Sequence, residues 1–549
     1  MYNCRIVPIL GIRGFPMGTS WYNRRSPDFR FGRPIQGTSM TAFAFTAAVF
    51  LTAAGALVLE IVAARLIAPY VGMSLYTWTA IIAIVLAGLS IGHWLGGRLA
   101  GPDVGRAEGV RRTALALAAA AVTTLASLPL LRLVSGPLLS GGLGAVTAVV
   151  VLTAVLFLLP SLFVGIVSPL ATKLAIDAEP DQAGRVLGRM FAAGAGGSIF
   201  GTLAAGYLFI SWVGATGTVI AVAVLYATLA AAFGLWSRRW AAVLAVLVLP
   251  GAGLAAWGNT LAAYRSPCQV ESDYFCIRFD DFSAMSGRPS RLMVLDHLVH
   301  SINDRDDPAL LYSPYVHFVD EIADLRLAGH RATRAYFIGG GGYTLPRAWA
   351  RLHPDMKMTV AELDPAVTQA AADRMWLDPK ADNLRILHQD ARRALTALDR
   401  SERFDVVFGD AFHDIAVPAH LVTREFHGEL AARLSEGGFY AVNVVDLGSD
   451  PRFLFALVKT LRLDFPAVEV WKTLDEMDET GRVTFIVLAS ARPTPETRVA
   501  SLRGLARAWS RWPENDLDRR LAAVDPPVLT DDHAPVERLL SRLLRAPDI

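Results

Sequence analysis

The chain is 549 residues long, with a formal net charge of +2, 53% hydrophobic residues and 19% charged residues. That length points to more than one domain, and so apolar a composition argues against both a disordered chain and an all-soluble one. Three cysteines exclude a disulfide-stapled scaffold, and a charge near zero argues against the basic face of a nucleic-acid binder.

Residues 1–39 are rich in Gly, Pro, Ser and Arg, with Arg24, Arg25, Arg30 and Arg33 close together and no apolar core of signal-peptide length. They are expected to be a disordered tail, or an over-extended start with Met40 as the initiator. The pair Arg24 and Arg25 lacks a following apolar run, so a twin-arginine signal is not expected. A sharp change in composition follows. Only 17 of the 218 residues from Met40 to Trp257 are charged, against 78 of the 292 from Gly258 onward, which also hold ten of the eleven histidines. Residues 40–257 therefore read as a multi-pass transmembrane domain and the rest as a soluble one.

Seven apolar runs have roughly the length that crosses about 30 Å of hydrocarbon. They lie near 42–64, 77–97, 113–134, 144–166, 186–211, 215–236 and 240–257. The fourth continues past Pro160 to Pro169, where a kink is expected, and the seventh is short. Arg98, Arg106, Arg111 and Arg112 crowd the loop after the second run. Lys173, Arg185 and Arg189 follow the fourth, and Arg238 and Arg239 follow the sixth. The opposite loops carry little beyond Arg65 and Arg132, so the N-terminus is predicted cytoplasmic. Seven spans then put the soluble domain outside the cytoplasm; six or eight would reverse that. Gly88, Gly92 and Gly96, and Gly197, Gly201 and Ala205, recur every four residues and suit close helix packing, within one bundle or across a homodimer. Glu60 and His93 are ionisable residues inside spans, where such groups are costly in lipid.

Residues 258–290 read as a linker and a small β part, and 291–549 as an α/β domain in which short apolar strands alternate with helical stretches. Ala335–Ile338 is a predicted strand followed directly by Gly339, Gly340, Gly341 and Gly342, with a helix starting near Pro346. A glycine turn between strand and helix lets a ligand approach the backbone. A second strand, Met358–Val360, ends in Ala361-Glu362-Leu363-Asp364; Glu362 stands 23 residues after Gly339, which suits a carboxylate that receives ribose hydroxyls. A third, Leu384–Leu387, ends near Asp390 and Ala391, placed to meet an adenine edge, and a fourth, Phe404–Phe408, ends at Gly409-Asp410-Ala411. Four strands thus deliver glycines and carboxylates to one sheet edge, where open α/β sheets bind ligands. Each carboxylate taken alone also reads as a helix cap. His413, His420 and His427 recur every seven residues without ligand partners at metal spacing, so no metal site is expected.

The soluble part resembles the spermidine synthase (polyamine aminopropyltransferase) family in "ESDYFCIRF", "LMVLDHLVHS", "YSPYVHF", "FIGGGG", "AELD", "QDAR", "FDVVFGDAF" and "LTDDHAPVE". The stretch from Leu59 to Gly97 and "GRMFAAGAGGSIFGTLAAGY" resemble the multi-pass region fused to such domains in bacterial membrane proteins. The resemblance implies a class I methyltransferase-like fold. It implies aminopropyl transfer from decarboxylated S-adenosylmethionine to a small-molecule amine, and so a place in polyamine biosynthesis at the bacterial inner membrane. It implies Asp410 as proton acceptor and Tyr315 as the group that orients the amine. Gly339, Gly340, Gly341, Glu362, Asp364, Asp390, Ala391 and His300 are implied around the nucleoside, and His317 and His413 at the amine. The chain departs from the family pattern where an Asp after the three glycines is Gly342, a Glu is Phe318, a Gln is His300, and the second Asp after the fourth strand is His413, with Asp414 one residue late. Each lost carboxylate removes about 1.5–3 kcal/mol of charge-assisted bonding to an ammonium. Two other readings stay open: a polyamine or nucleoside transporter or sensor with a binding domain, and an S-adenosylmethionine-dependent methyltransferase. Cys268 and Cys276 read either as buried thiols or as a disulfide, which needs an oxidising compartment. A disulfide agrees with seven spans and conflicts with a cytoplasmic sulfonium donor.

Overall fold

The protein is described by a computed structural model covering residues 38–545, except 142, 238–239, 329–332, 414 and 478. The predicted tail up to residue 37, Arg238, Arg239 and Asp414 lie outside the described residues.

The N-terminal part is a bundle of α1 (Thr38–Val71), α2 (Leu75–Leu99), α3 (Arg106–Leu139), α4 (Ala145–Ala178), α5 (Ala183–Ala204), α6 (Ile210–Trp236) and α7 (Trp240–Thr260). By length and composition six helical stretches could cross a membrane, where the sequence predicts seven runs. The difference lies in one stretch of 57 residues, Pro180–Trp236, which holds the fifth and sixth runs without a polar break. A straight helix of that length would measure about 85 Å, far beyond a bilayer. It is interrupted at Gly214, where φ is +73° and ψ is 171°, a conformation that favours glycine. The chain doubles back there. Gly197 and Gly201 of α5 lie against the backbone of Phe50 and Ala54 in α1, and Tyr226 of α6 packs on Gly55 at the same level. The glycine stripes face neighbours inside the bundle. A Cβ on Gly92 would fall 2.2 Å from the Leu162 carbonyl oxygen of α4, so only glycine permits that approach.

Two sheets follow. The first, antiparallel, runs β1 (Val270–Glu271), β2 (Cys276–Asp281), β3 (Ser290–Leu295) and β4 (Leu298–Asp304), so the small β part extends past residue 290. A disulfide joins Cys268, in the segment after α7, to Cys276 at the start of β2. The second sheet contains β5 (Arg334–Ile338), β6 (Lys357–Ala361), β7 (Leu384–Leu387), β8 (Phe404–Gly409), β9 (Leu434–Leu447), β10 (Ala467–Thr473), β11 (Arg482–Ser490), β12 (Arg498–Ser501) and β13 (Arg507–Arg511). Its order is β12-β13-β10-β11-β9-β8-β5-β6-β7. Strands β9, β8, β5, β6 and β7 are parallel and the others antiparallel. The parallel strands are apolar on both sides because helices cover both faces. Tyr336, Phe404 and Val407 face the helices Arg424–Ala431 and Arg452–Leu461; Phe337, Val406 and Phe408 face the helices Pro314–Arg326 and Thr344–Leu352. The alternation of strands and helices predicts an α/β sheet, and the sheet has the methyltransferase-like form that the family resemblance implies, with an antiparallel flank that the alternation does not foretell.

Candidate active site

Strand order reverses between β5 and β8, and that reversal marks where an open α/β sheet holds its ligand. Gly339 follows β5, Asp410 follows β8, and their backbones nearly touch. The Asp410 N–H donates to the Ile338 carbonyl at 2.9 Å, and a Cβ on Gly339 would sit 2.8 Å from the Asp410 carbonyl oxygen. Gly339 also has φ +96°, so conformation and space both demand glycine.

Glu362, one residue past β6, holds the glycine turn. Its Oε2 accepts from the N–H groups of Gly340 at 2.8 Å and Gly341 at 3.2 Å, and its Oε1 accepts from the Asp364 N–H at 2.9 Å. Three donors occupy three of the roughly four acceptor positions of a carboxylate, which leaves one. Burial pushes this carboxyl up, and the three N–H groups offset part of that rise. Asp390 caps the helix Ala391–Ala397 through the Arg393 N–H at 3.0 Å, and its other oxygen lies 2.7 Å from His420 Nε2. Burial acts to raise the Asp390 carboxyl, but the bonds from the Arg393 N–H and His420 outweigh it and hold the group below the usual range.

Asp410 has both oxygens engaged by neutral donors. Asn443 Nδ2 donates to Oδ1 at 2.9 Å and the Tyr315 hydroxyl donates to Oδ2 at 3.2 Å. Burial pushes the carboxyl up to about 7, and the two donors offset only part of the rise. The same burial, with the Asp410 charge beside it, drives the Tyr315 hydroxyl upward, so Tyr315 stays protonated and donates.

A cavity of about 890 Å³ joins these groups. Gly339, Gly340, Gly341, Glu362, Asp390, Ala391, Asp410, His300 and His413 all line it, so nine of the twelve residues singled out in the sequence meet in one place. Its charged lining is Glu362, Asp390, Asp410 and Glu537 against Arg538. Burial, with His297 beside it, pushes His300 down to about 4, so that ring is neutral at pH 7. The balance is negative and favours a cationic ligand.

Three expected residues stand elsewhere. Tyr315 reaches the site only through its bond to Asp410. His317 is buried with Nε2 3.1 Å from Ser501 Oγ and its ring edge against Trp509. Two residues apart on one helix puts Tyr315 and His317 about 200° apart, so they face opposite ways. Asp364 caps the helix Pro365–Arg374 through the Ala366 N–H at 2.9 Å and accepts from the Ser272 hydroxyl. That is the helix-cap role open to each of these carboxylates. At Gly342 a Cβ would lie 2.5 Å from Ser301 Cβ, so the Asp of the family pattern has no room.

Sequence reasoning missed seven residues that shape the site. Asn443 is a polar residue inside the apolar strand β9, and a buried amide needs a partner, which is a readable signal. Ser301 accepts the Gly342 N–H at 2.8 Å. His420 sits on Asp390, and Met73, Ser74, Leu75 and Trp78 line the cavity from the N-terminal helical bundle. Nothing in the local pattern marks these.

No family model matches this chain. It is 34% identical over 134 residues to the polyamine aminopropyltransferase of Vibrio vulnificus (strain CMCP6), which covers 24% of this chain and 44% of that protein. It is 27% identical over 229 residues to the probable polyamine aminopropyl transferase of Bifidobacterium longum (strain NCC 2705), covering 38% of this chain and 49% of that protein. The chain spans about half the length of the curated relatives it matches. Among solved structures it is similar to a probable spermidine synthase from Corynebacterium glutamicum ATCC 13032, with 21% identity and a TM-score of 0.42 over 50% of this chain and 99% of that one. It is also similar to a spermidine synthase in complex with the transition state analogue AdoDATO, with 19% identity and a TM-score of 0.30 over 37% of this chain and 68% of that one.

Proposed function

We propose that this chain is a membrane-anchored transferase of the aminopropyltransferase type, which moves an aminopropyl group from decarboxylated S-adenosylmethionine to an amine. The observation that carries the reading is the Asp410 carboxyl, pushed up to about 7 at the switch point beside the glycine turn. The names of the two curated relatives support it.

When bound, the donor supplies an electrophilic propyl carbon beside a sulfonium. The residues of this chain supply the rest. The acidic lining favours a positively charged donor. The Gly339–Gly341 turn and Glu362 are suited to the ribose, and Asp390 with the Ala391 backbone to the adenine. An ammonium is not a nucleophile, so a base must take its proton, and a carboxyl titrating near neutral pH is matched to that task. Asn443 and Tyr315 fix the orientation of the Asp410 carboxylate, so it meets the amine without first reorganising. The test is the full chain with decarboxylated S-adenosylmethionine and a panel of amines, read as release of methylthioadenosine. Methyl transfer from intact S-adenosylmethionine, with no such release, would reassign the donor.

A second reading draws on the two ends of the bundle. At the end that meets the α/β domain, Arg65 bonds the Ser272 and Tyr274 carbonyls and Arg132 bonds the Arg265 carbonyl. At the other end Lys173 bonds the Val104 carbonyl, Arg106 lies 5.3 Å over the Trp236 ring and Arg189 pairs with Glu179. Arg98, Arg111, Arg112 and Arg185 belong to that cation-rich end as well. Cations concentrate on the cytoplasmic side of spans, and disulfides persist in oxidising compartments. Both favour an α/β domain outside the cytoplasm, where it would bind an external amine or nucleoside and report it to the spans. Reporters fused after Ile549, one active only inside the cytoplasm and one only outside, separate the readings. An external signal would favour the sensor reading over transfer from a cytoplasmic donor; an internal one would remove the sensor reading, support transfer and leave the disulfide reduced in the cell.

A further inference from the structure

The α/β domain does not close its own cavity. Met73, Ser74, Leu75 and Trp78, from the turn between α1 and α2 and the start of α2, form one wall. The joint is bonded on both sides of that turn: the Leu75 N–H donates to Glu537 at 2.9 Å, and Arg65 bonds the Ser272 and Tyr274 carbonyls. The cavity rim here is apolar and open, with Leu75 62% exposed and Tyr274 and Leu363 each 44% exposed. Leu75 is the first residue of an apolar span, so this rim stands at the depth of lipid head groups. An exposed apolar patch around a negatively charged interior suits an amphiphile with a cationic end. The site is poor in groups for the second ammonium of a free diamine. Ser301 fills the space beside Gly342, and Phe318 is buried against Trp471 and Trp509. Arg538, exposed on the cavity lining, supplies instead a cation suited to a phosphate.

We propose that the amine accepted at Asp410 is the head group of an aminophospholipid taken from the membrane surface in which α1 and α2 stand. This rests on the transfer reading above. The lipid ammonium gives a proton to Asp410, and the freed nitrogen forms a bond to the propyl carbon of the aminopropyl sulfonium nucleoside. The carbon–sulfur bond breaks with its electron pair kept on sulfur, so a neutral thioether nucleoside leaves. The product is a secondary amine on the lipid, and Asp410 returns its proton to water.

The test uses the full chain in nanodiscs with decarboxylated S-adenosylmethionine, reading methylthioadenosine release and the mass of the lipid. Three acceptors are compared: phosphatidylethanolamine in the disc, putrescine with phosphatidylcholine discs, and glycerophosphoethanolamine with phosphatidylcholine discs. Release about ten-fold faster with phosphatidylethanolamine, together with aminopropylated lipid, is expected. Release as fast with putrescine overturns the lipid proposal and leaves the transfer reading standing. Release as fast with glycerophosphoethanolamine overturns the membrane source. No release with any acceptor, while methylthioadenosine still binds, overturns the transfer reading itself. A substitution in the rim is the companion test, with methylthioadenosine affinity as its check on folding. Leu75→Glu is expected to slow turnover of the lipid about ten-fold with methylthioadenosine affinity unchanged; unchanged lipid turnover would overturn the role of the rim.

Discussion

Asp410→Asn lowers methylthioadenosine release by about 10²–10⁴-fold, the range that a positioned base contributes. Asparagine keeps the shape and can still accept from Asn443 through its oxygen, with its amide N–H turned to the Tyr315 hydroxyl, but it cannot take a proton. Methylthioadenosine, which needs no base, binds the variant as it binds the parent. The pH profile carries the same signature. With Asp410 as the base of the proposed transfer the carboxylate form is the active one, so kcat/KM is expected to rise with pH through about 7 and level off above it. Tyr315 donates to the carboxylate and so holds that midpoint down. Tyr315→Phe therefore moves the midpoint to higher pH while the plateau, where Asp410 is ionised in both proteins, falls less than at pH 6. A profile unmoved by Tyr315→Phe would show that Asp410 is not the titrating base. Stability runs the other way. The folded carboxyl titrates near 7 against about 3.8 when unfolded, so the folded state binds more protons and loses stability as pH rises between those values. Asp410→Asn removes that penalty. At pH 8 the variant is more stable by on the order of 2–4 kcal/mol, and the gain vanishes toward pH 4, as thermal unfolding at both pH values would show.

The parallel core was legible because its physics is local. Strands β5, β6 and β8 are short, largely buried apolar runs, β7 is the half-buried edge, and each of the four leads to a residue of the cavity lining: Gly339, Glu362, Asp390 and Asp410. Order along the chain then fixes which side of β5 each strand takes, and the switch point follows. What the sequence left illegible is long-range or angular. His317 stands two residues from Tyr315, and spacing on a helix, not identity to a pattern, decides which way it faces. Asp364 lies two residues past Glu362, yet the first turn of a helix claims it as a cap. The wall from Met73 to Trp78 is more than 200 residues from every other part of the site except through the joint at Tyr274 and Phe275. Apolar composition marks that segment as membrane and says nothing about what its turn touches. The count of helices differs for a related reason: hydropathy sees two runs around Gly214, while backbone hydrogen bonding continues through the bend and joins them.

Glu362→Ala weakens methylthioadenosine binding by about 100-fold or more. A charge-assisted hydrogen bond is worth about 1.5–3 kcal/mol, or ten- to more than one-hundred-fold in affinity. The carboxylate also holds the Gly340 and Gly341 N–H groups, so its loss frees the turn on which the nucleoside would rest. Glu362→Gln keeps one acceptor oxygen but turns an amide toward those N–H donors, and an intermediate loss of about ten-fold is expected. A merely structural Glu362 would lower the melting temperature in the same way, so affinity alone does not decide. The ligand decides it. Methylthioadenosine lacking a ribose hydroxyl should bind the parent more weakly than methylthioadenosine does, and bind Glu362→Ala no more weakly. The difference between the two losses is the coupling energy of the Glu362–ribose contact. Coupling of about 1 kcal/mol or more places the ribose on Glu362. Additive losses would leave Glu362 as the support of the glycine turn and move the ribose contact elsewhere on the cavity wall.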